Sequence, residues 1–173
     1  MQSYVAPLKK SPNDLLVLYA IAFLDSVSYF AFSYALIMHL GREVGLPDES
    51  AGLFYGIFGV CISISTLLLG FVADWLQMKK SICISAGVGM IARMGMAYAV
   101  LARSPIVTAC ILFGTIAPTM ALMGPAVPTA IKRYTTPDTR NFAFAIYYGI
   151  MNIAAFVATP AVDFIRLRVT DDI

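Results

Sequence analysis

Two charged residues lie deep inside apolar stretches of the sequence: Asp25 in the first stretch and Arg93 in the third. At about 1.5 Å per residue in a helix, each lies roughly 16–18 Å from the start of its stretch. An unpaired charge at that depth costs several kcal/mol, so the matched depths predict an Asp25–Arg93 ion pair, direct or through water. The pair either only holds two helices together, or Asp25 takes up and releases a proton during a cycle. A neighbouring arginine opposes the second role because it stabilises the charged carboxylate.

Polar side chains recur at helical spacing in two apolar stretches. The two sets are Asp25, Ser28, Tyr29 and Ser33, and Tyr148, Asn152, Thr159 and Asp163. Each set shares one helix face, and polar groups in lipid usually face a bundle interior or a wet cavity. The residues expected to line a substrate or ion pathway are therefore Asp25, Tyr29, Arg93, Tyr148 and Asn152. Interhelical hydrogen bonding without transport is the alternative.

The composition indicates that these residues lie in a membrane. Of the 173 residues, 60% are hydrophobic and 13% are charged, and the mean hydropathy is +0.80. Soluble domains are about 45–50% apolar and about 25% charged, so a soluble domain, a disordered chain and a disulfide scaffold are excluded. The net charge of +2 is too small to imply nucleic acid or another acidic partner. Cys61, Cys83 and Cys110 lie in apolar runs and are expected to be buried thiols.

Five stretches are long enough to cross roughly 30 Å of hydrocarbon, which takes roughly 20 apolar residues in a helix. They are residues 15–38, 51–76, 82–102, 106–131 and 142–165. Helices satisfy their own backbone hydrogen bonds inside lipid. The predicted fold is therefore all-α: a polytopic transmembrane helix bundle over residues 15–173, after a cytoplasmic N-terminal segment of residues 1–14.

The distribution of lysine and arginine orients the chain. One side would carry Lys9, Lys10, Lys79, Lys80, Lys132, Arg133 and Arg140, and the other Arg42, Arg103, Arg166 and Arg168. Because cytoplasmic loops hold the excess of basic residues, we expect an integral, multi-pass membrane protein with a cytoplasmic N-terminus. The choice between plasma membrane and organelle is left open.

The second stretch carries a regular seam of small residues. The seam comprises Gly52, Gly56, Gly59, Ser63, Thr66 and Gly70. All six share a helix face, and small residues let helix backbones approach closely in lipid. The seam predicts a close helical neighbour, either as a packing surface or as a face that rocks against another helix during transport.

The junction between the second and third stretches resembles the signature loop of the major facilitator superfamily. The matching residues are Gly70, Ala73, Asp74, Lys79 and Ile82. The resemblance implies a gating loop that contains Gly70, Asp74, Lys79 and Lys80. In that loop Asp74 caps a helix end and holds the two halves of a transporter together in one state. A capped, positive-inside turn without gating is the alternative.

A second segment, from Pro137 to Phe156, is similar to the start of the fifth helix in the proton-coupled oligopeptide transporter branch. The residues that fit are Phe144, Tyr147, Tyr148, Asn152, Ile153, Ala155 and Phe156. That branch has two Glu and one Arg in its first helix, whereas the nearest segment here begins with Asp25 alone. The resemblance therefore leaves proton coupling open.

The superfamily implies a secondary transporter that moves a small solute by alternating access, as a symporter or antiporter. Its fold has two six-helix bundles with the solute site between them. We therefore expect this chain to be a fragment of a longer protein that needs the missing C-terminal half or a partner chain. A non-transporting membrane scaffold or a regulatory truncated copy is the rival hypothesis. No nucleotide, metal or catalytic motif occurs, so no enzyme activity and no cofactor are expected.

Overall fold

The computed structural model describes residues 13–76, 78–102 and 104–171, which are almost entirely helical. Within these residues, five helical spans are long and apolar enough to cross a membrane: Asn13–Glu43, Asp48–Val72, Lys79–Ala99, Pro105–Tyr134 and Pro137–Arg168. This confirms the predicted fold class, all-α and polytopic, and we number the spans first to fifth. The predicted N-terminal segment, residues 1–14, lies outside the described residues except for Asn13 and Asp14.

The helices extend beyond the apolar stretches at their N-terminal ends. They are α1 (Asn13–Met38), α2 (Asp48–Leu76), α3 (Met78–Ala102), α4 (Pro105–Ile111), α5 (Ala117–Tyr134) and α6 (Pro137–Asp171), with π-helical segments at His39–Glu43 and Leu112–Ile116. Polar residues ahead of an apolar run suit a first helical turn. Asp48 and Glu49 begin α2 at the positive end of its dipole. Ser104 accepts the Val107 N–H at 3.4 Å and caps α4.

The fourth span stays helical through its prolines. These are Pro118, Pro125 and Pro128. A proline inside a helix removes one N–H and presses on the carbonyl of residue i−4. The π segment Leu112–Ile116 contains Gly114, the residue four positions before Pro118, so the helix is wider where that ring needs room. Thr115 Oγ1 also donates to the Ile111 carbonyl at 2.6 Å. The wider turn accommodates the proline without breaking the span.

The first span ends in a turn that needs a glycine. After the π segment His39–Glu43, Gly45 has φ +76°, in the left-handed region that costs other residues roughly 1–2 kcal/mol. The Leu46 N–H donates to the Leu40 carbonyl at 3.0 Å. This bond satisfies the Leu40 carbonyl near the end of the helix before the chain enters α2.

The chain divides into two compact units: residues 1–35 with 128–173 form unit one, and residues 36–127 form unit two. In unit one, the buried positions of α6 are Ala143, Ala154 and Ala158. In unit two, the buried positions of α3 are Ser81, Ser85, Gly89, Ala92, Met96 and Ala99. Both faces are made of small or slender side chains, which allow close helix packing in lipid.

Four glycines of the α2 seam have open space around them within the described part of the chain. A methyl group placed on Gly52, Gly56, Gly59 or Gly70 would have nothing within 4 Å. Ser63 Oγ donates to the Gly59 carbonyl of its own helix at 3.1 Å. At these four positions, no atom of the described residues lies where the close helical neighbour that the seam predicts would be.

The prediction of buried thiols is wrong for two of the three cysteines. Cys83 and Cys110 are exposed and Cys61 is half-buried, and all three are free thiols. An apolar run indicates membrane depth, but it does not fix the direction in which one side chain points. A thiol behaves as a small hydrophobic group, so lipid can cover it as well as protein can.

Candidate functional site

Two hydrogen bonds hold α1 and α6 side by side in unit one. Tyr19 Oη donates to the Ala143 carbonyl at 3.0 Å. Tyr34 Oη donates to Asp163 Oδ1 at 3.2 Å. Both residue numbers are higher in the second pair than in the first, so the two helices run parallel. The bonds fix one register on both sides of Asp25, and a hydrogen bond of this kind contributes about 0.5–1.5 kcal/mol to stability.

This register places Asp25 opposite the middle of α6. In the two bonds, the α6 residue comes 124 and 129 positions after its α1 partner. The same offsets applied to Asp25 place it opposite the part of α6 between residues 149 and 154. Asn152 lies at that level and Tyr148 lies one turn before it. The Asp25 carboxylate is within electrostatic range of the Tyr147 phenol. Parallel packing therefore brings three predicted pathway residues, Asp25, Tyr148 and Asn152, to similar depth.

Aromatic rings lie near this level on each of the two helices. The ring centroids of Tyr147 and Tyr148 are 5.3 Å apart, and those of Phe144 and Tyr148 are 6.4 Å apart. On α1, Tyr29 lies edge to face with the next ring along the chain at 5.2 Å. Such pairs attract through the quadrupoles of the rings. We call Asp25, Tyr29, Phe144, Tyr147 and Tyr148 the acidic aromatic cluster.

Tyr148 and Asn152 turn away from the packed face of α6. The Tyr148 side chain is 58% exposed, and Asn152 is exposed as well. Asn152 Nδ2 donates to the Tyr148 carbonyl of its own helix at 3.0 Å. Exposed polar side chains at membrane depth face either lipid or a cavity, and their polarity favours a cavity. Their role in a pathway stays a prediction, and their exposure leaves ring and amide surface for a ligand.

In unit two, the Arg93 side chain folds back along α3 over Gly89. A methyl group on Gly89 would lie 2.9 Å from Arg93 Nη1 and 3.7 Å from Thr119 Oγ1. The missing side chain at this position therefore makes room for the guanidinium beside Thr119 of α5. Ser85 Oγ donates to the Thr119 carbonyl at 2.6 Å in the same buried region. Sequence reasoning found Arg93 but missed the polar groups that lie around it.

The predicted Asp25–Arg93 ion pair stays a prediction. Both side chains are half-buried, and neither is without an interaction partner. Asp25 belongs to unit one and Arg93 to unit two. The support for the pair is the matched depth of the two charges in the sequence.

The predicted gating loop joins two helices almost directly, because α2 ends at Leu76 and α3 begins at Met78. Gly70 is half-buried, and Lys79 and Lys80 are exposed. The backbone at position 74 is helical, whereas the Asp74 side chain and all of residue 77 lie outside the described part.

The charges of this junction oppose the helix dipoles. Asp74 occupies the last turn of α2, which is the negative end of that helix. Lys79 and Lys80 occupy the first turn of α3, the positive end. For the exposed lysines this arrangement costs α3 about 0.3–1 kcal/mol. Helix stability therefore does not explain why these charges are present.

A buried histidine lies at the end of the first span. His39 Nε2 is 3.2 Å from Thr108 Oγ1, which joins the first π segment to α4 within unit two. His39 Nδ1 is buried and finds no hydrogen-bond partner within the described residues. No group of three or more His, Cys, Asp or Glu in residues 13–76, 78–102 and 104–171 is placed to hold a metal ion.

Three tyrosines that set the geometry were not among the predicted pathway residues: Tyr19, Tyr34 and Tyr147. In an apolar run, a tyrosine is usually interpreted as part of the core. The available signal was the phenol, because a buried hydroxyl needs a partner. For Tyr19 the partner is a backbone carbonyl. Because every residue has such a carbonyl, the residue types do not predict which one accepts the bond.

Five apolar spans with a carboxylate and aromatic rings at membrane depth define the class: an integral, multi-pass membrane protein. The sequence model of the Major Facilitator Superfamily matches residues 10–165. The match covers most of the chain, so the chain belongs to the Major Facilitator Superfamily, whose transporters bind small solutes in the lipid bilayer. Comparison with curated proteins and with solved structures gave no match. The narrower similarity to the oligopeptide transporter branch stays a prediction.

Proposed function

We propose that this chain takes part in secondary transport of a small solute by alternating access. The observation that supports the proposal is the acidic aromatic cluster of unit one. Two parallel spans bring Asp25 and the exposed ring of Tyr148 to similar depth. A carboxylate at that depth is costly for a protein that only spans the membrane, and recognition of a solute or ion accounts for it.

Arg93 is proposed as the second charged group of the pathway. Its guanidinium lies over Gly89, and a glycine at this position leaves space for the long side chain to move. We propose that Arg93 pairs with Asp25 in one state of the cycle and separates from it in another. An ion pair that is made in one state and broken in the other would contribute to the equilibrium between the two states, which a bound solute or ion could then shift.

The junction of the second and third spans is proposed as a cytoplasmic gate. Asp74, Lys79 and Lys80 each lie at the helix end where their charge is unfavourable for the helix dipole. Charges placed in this way are suited to an interaction with another part of the transporter. The excess of basic residues on this side supports a cytoplasmic N-terminus.

Transport by this mechanism is proposed to need a second helical bundle, because alternating access rocks one bundle against another. The seam of α2 supports this, since a methyl group on Gly52, Gly56 or Gly59 would meet nothing within 4 Å. The second bundle would be the C-terminal half of a longer product or a partner chain.

The first experiment is the size of the native product, followed by uptake assays on that product. An antibody against residues 132–140 would be used to blot native membranes. A band at more than twice 18.7 kDa would identify a longer protein, which would then be reconstituted in vesicles. The proposal expects solute uptake that responds to an imposed pH or ion gradient. Uptake that is absent under every imposed gradient would contradict it.

A regulatory scaffold is the second candidate, and the same open seam favours it. A seam of small residues also suits co-assembly with another membrane helix. A scaffold would co-purify with a full-length transporter and change that transporter's activity. It would show no gradient-dependent uptake of its own.

A further inference from the structure

We propose that His39 and Thr108 form a proton-sensitive lock between the end of the first span and the start of the fourth. The neutral imidazole closes the lock, and protonation of the ring opens it. This inference concerns one contact within unit two and does not depend on the transport function proposed above.

The contact joins two elements that are far apart in the sequence. His39 Nε2 lies 3.2 Å from Thr108 Oγ1, and the two residues are 69 positions apart. Thr108 is fully buried, and the His39 side chain is only 8% exposed. Leu40, which follows the histidine, is fully buried as well. A buried bond between two polar groups specifies one arrangement of the elements, because separating them without water leaves both groups unpaired.

The neutral form of His39 fits this position, whereas the charged form does not. His39 Nδ1 is buried and has no hydrogen-bond partner among the described residues. The tautomer that leaves no buried N–H unpaired therefore carries its proton on Nε2 and donates to Thr108. Protonation would add an N–H at Nδ1 that meets no acceptor there, together with a charge in a buried site. Protonation therefore favours a conformation in which the ring has left this position.

The surroundings of His39 offer the charged ring a place to go. The charged residues of the π segment and of the first turn of α2, which packs against it, are all exposed. They comprise one base and three acids: Arg42, Glu43, Asp48 and Glu49. Glu43, four positions after His39, is within electrostatic range of the imidazole. A ring that turns outward on protonation therefore meets an acidic rim that stabilises its charge.

The fourth span offers no such compensation on its side of the contact. Residues 105–111 of α4 include no charged residue, and their one titratable group is the exposed thiol of Cys110. Arg103 lies outside the described residues. An imidazole in water takes up a proton near about pH 6.5, so acidification below that range should separate the end of the first span from α4.

The first measurement is thermal unfolding of the complete natural product in detergent, between about pH 5 and pH 8. His39→Gln keeps an N–H that can reach Thr108 and cannot take up a proton. We expect acidification to lower the unfolding temperature of wild type by roughly 2–4 °C more than that of His39→Gln. Carboxylates titrate in both proteins, so their effect cancels in the comparison.

Hydrogen–deuterium exchange then locates the opening. At acidic pH, we expect peptides covering residues 39–46 and 104–112 to exchange about two- to tenfold faster in wild type than in His39→Gln, as loss of one hydrogen bond does. Thr108→Val should show the fast exchange already at neutral pH, whereas Thr108→Ser keeps the hydroxyl and should match wild type. Thr66→Val is the control, because the Thr66 hydroxyl donates to its own helix at 2.8 Å.

Three results would overturn the inference. The first is equal loss of stability on acidification in wild type and His39→Gln. The second is faster exchange confined to residues 39–46, which would show titration of the ring without release of α4. The third is wild-type exchange in Thr108→Val at neutral pH, and this result decides the matter even if His39→Gln does not fold. Neither measurement involves solute uptake, so failure of the lock and failure of the transport function are observed separately.

Discussion

The phenol of Tyr34 donates a hydrogen bond to Asp163 Oδ1 at 3.2 Å, joining α1 and α6 toward their C-terminal ends. The Asp163 carboxylate therefore bonds to a neighbouring helix, although it lies only three positions before Arg166 in its own. With the Tyr19–Ala143 bond, it fixes the parallel register that brings Asp25 to the level of the α6 aromatic rings. The two bonds position the candidate site without being part of it.

Removing the Tyr34 hydroxyl should loosen this register. We expect Tyr34→Phe to lower stability by about 0.5–1.5 kcal/mol, because the half-buried carboxylate loses its donor. Thermal unfolding in detergent measures the change. Tyr98→Phe removes the same hydroxyl from a side chain that is 68% exposed and is expected to unfold at the wild-type temperature. Equal unfolding temperatures for the two variants would contradict the role assigned to the bond.

The space above Gly89 should control the position of Arg93. In Gly89→Ala, the new methyl would lie 2.9 Å from Arg93 Nη1, so the flexible end of the arginine must move. We expect a fold that stays intact and a transport rate that falls toward that of Arg93→Gln. Uptake and thermal unfolding are measured on the same preparations.

Gly87→Ala is the matched control for this substitution. Gly87 lies on the same helix, and a methyl group there would meet nothing within 4 Å. We expect its uptake to equal that of wild type. If Gly87→Ala and Gly89→Ala lower uptake equally, the loss comes from the helix and not from the arginine.

The sequence was sufficient to predict the fold class. Hydrophobic runs of the length that a bilayer requires are a direct consequence of the solvent, so the five spans follow from composition and length. Helix ends were harder to predict. Polar residues such as Asp48 and Glu49 belong to α2 because they suit a first turn, although hydrophobicity alone excludes them.

The partners of polar side chains could not be predicted, because they depend on helix register. Helical periodicity groups Tyr148 with Asn152 on one face, but it does not show that Tyr34 reaches Asp163 or that Tyr19 reaches a backbone carbonyl. Such contacts depend on which helices are neighbours and on how far one is shifted along the other. The same limit applies to the cysteines, whose depth was predictable and whose direction was not.

The proposed Asp25–Arg93 pair makes a quantitative prediction for paired substitutions. Asp25→Asn and Arg93→Gln should each lower uptake, because each leaves the other charge without its proposed partner. The double variant should lose less than the sum of the two, with a coupling of about 0.5–3 kcal/mol. Effects that simply add would show that the two charges act independently.

The turn after the first span should depend on its left-handed glycine. Gly45 has φ +76° and is the glycine with positive φ among the described residues, so Gly45→Ala should cost roughly 1–2 kcal/mol of stability. Gly41→Ala, in the preceding π segment, is the control, because a methyl there would meet nothing within 4 Å. Thermal unfolding of both variants gives the difference, and an equal change in the two would contradict the assignment of the strain to position 45.

The gate proposed between the second and third spans can be separated from a merely stabilising turn by comparing activity with stability. Asp74→Asn removes a negative charge from the negative end of α2, so stability should stay level or rise by up to about 1 kcal/mol. Uptake should nevertheless fall, because the contact that Asp74 is proposed to make in one state of the cycle is lost. Lys132→Gln is the opposite case, since Lys132 lies in the last turn of α5, where a cation complements the dipole. It should lower stability by about 0.3–1 kcal/mol and leave uptake unchanged. If Asp74→Asn leaves uptake at the wild-type rate, the junction is only a positive-inside turn and the gate is excluded.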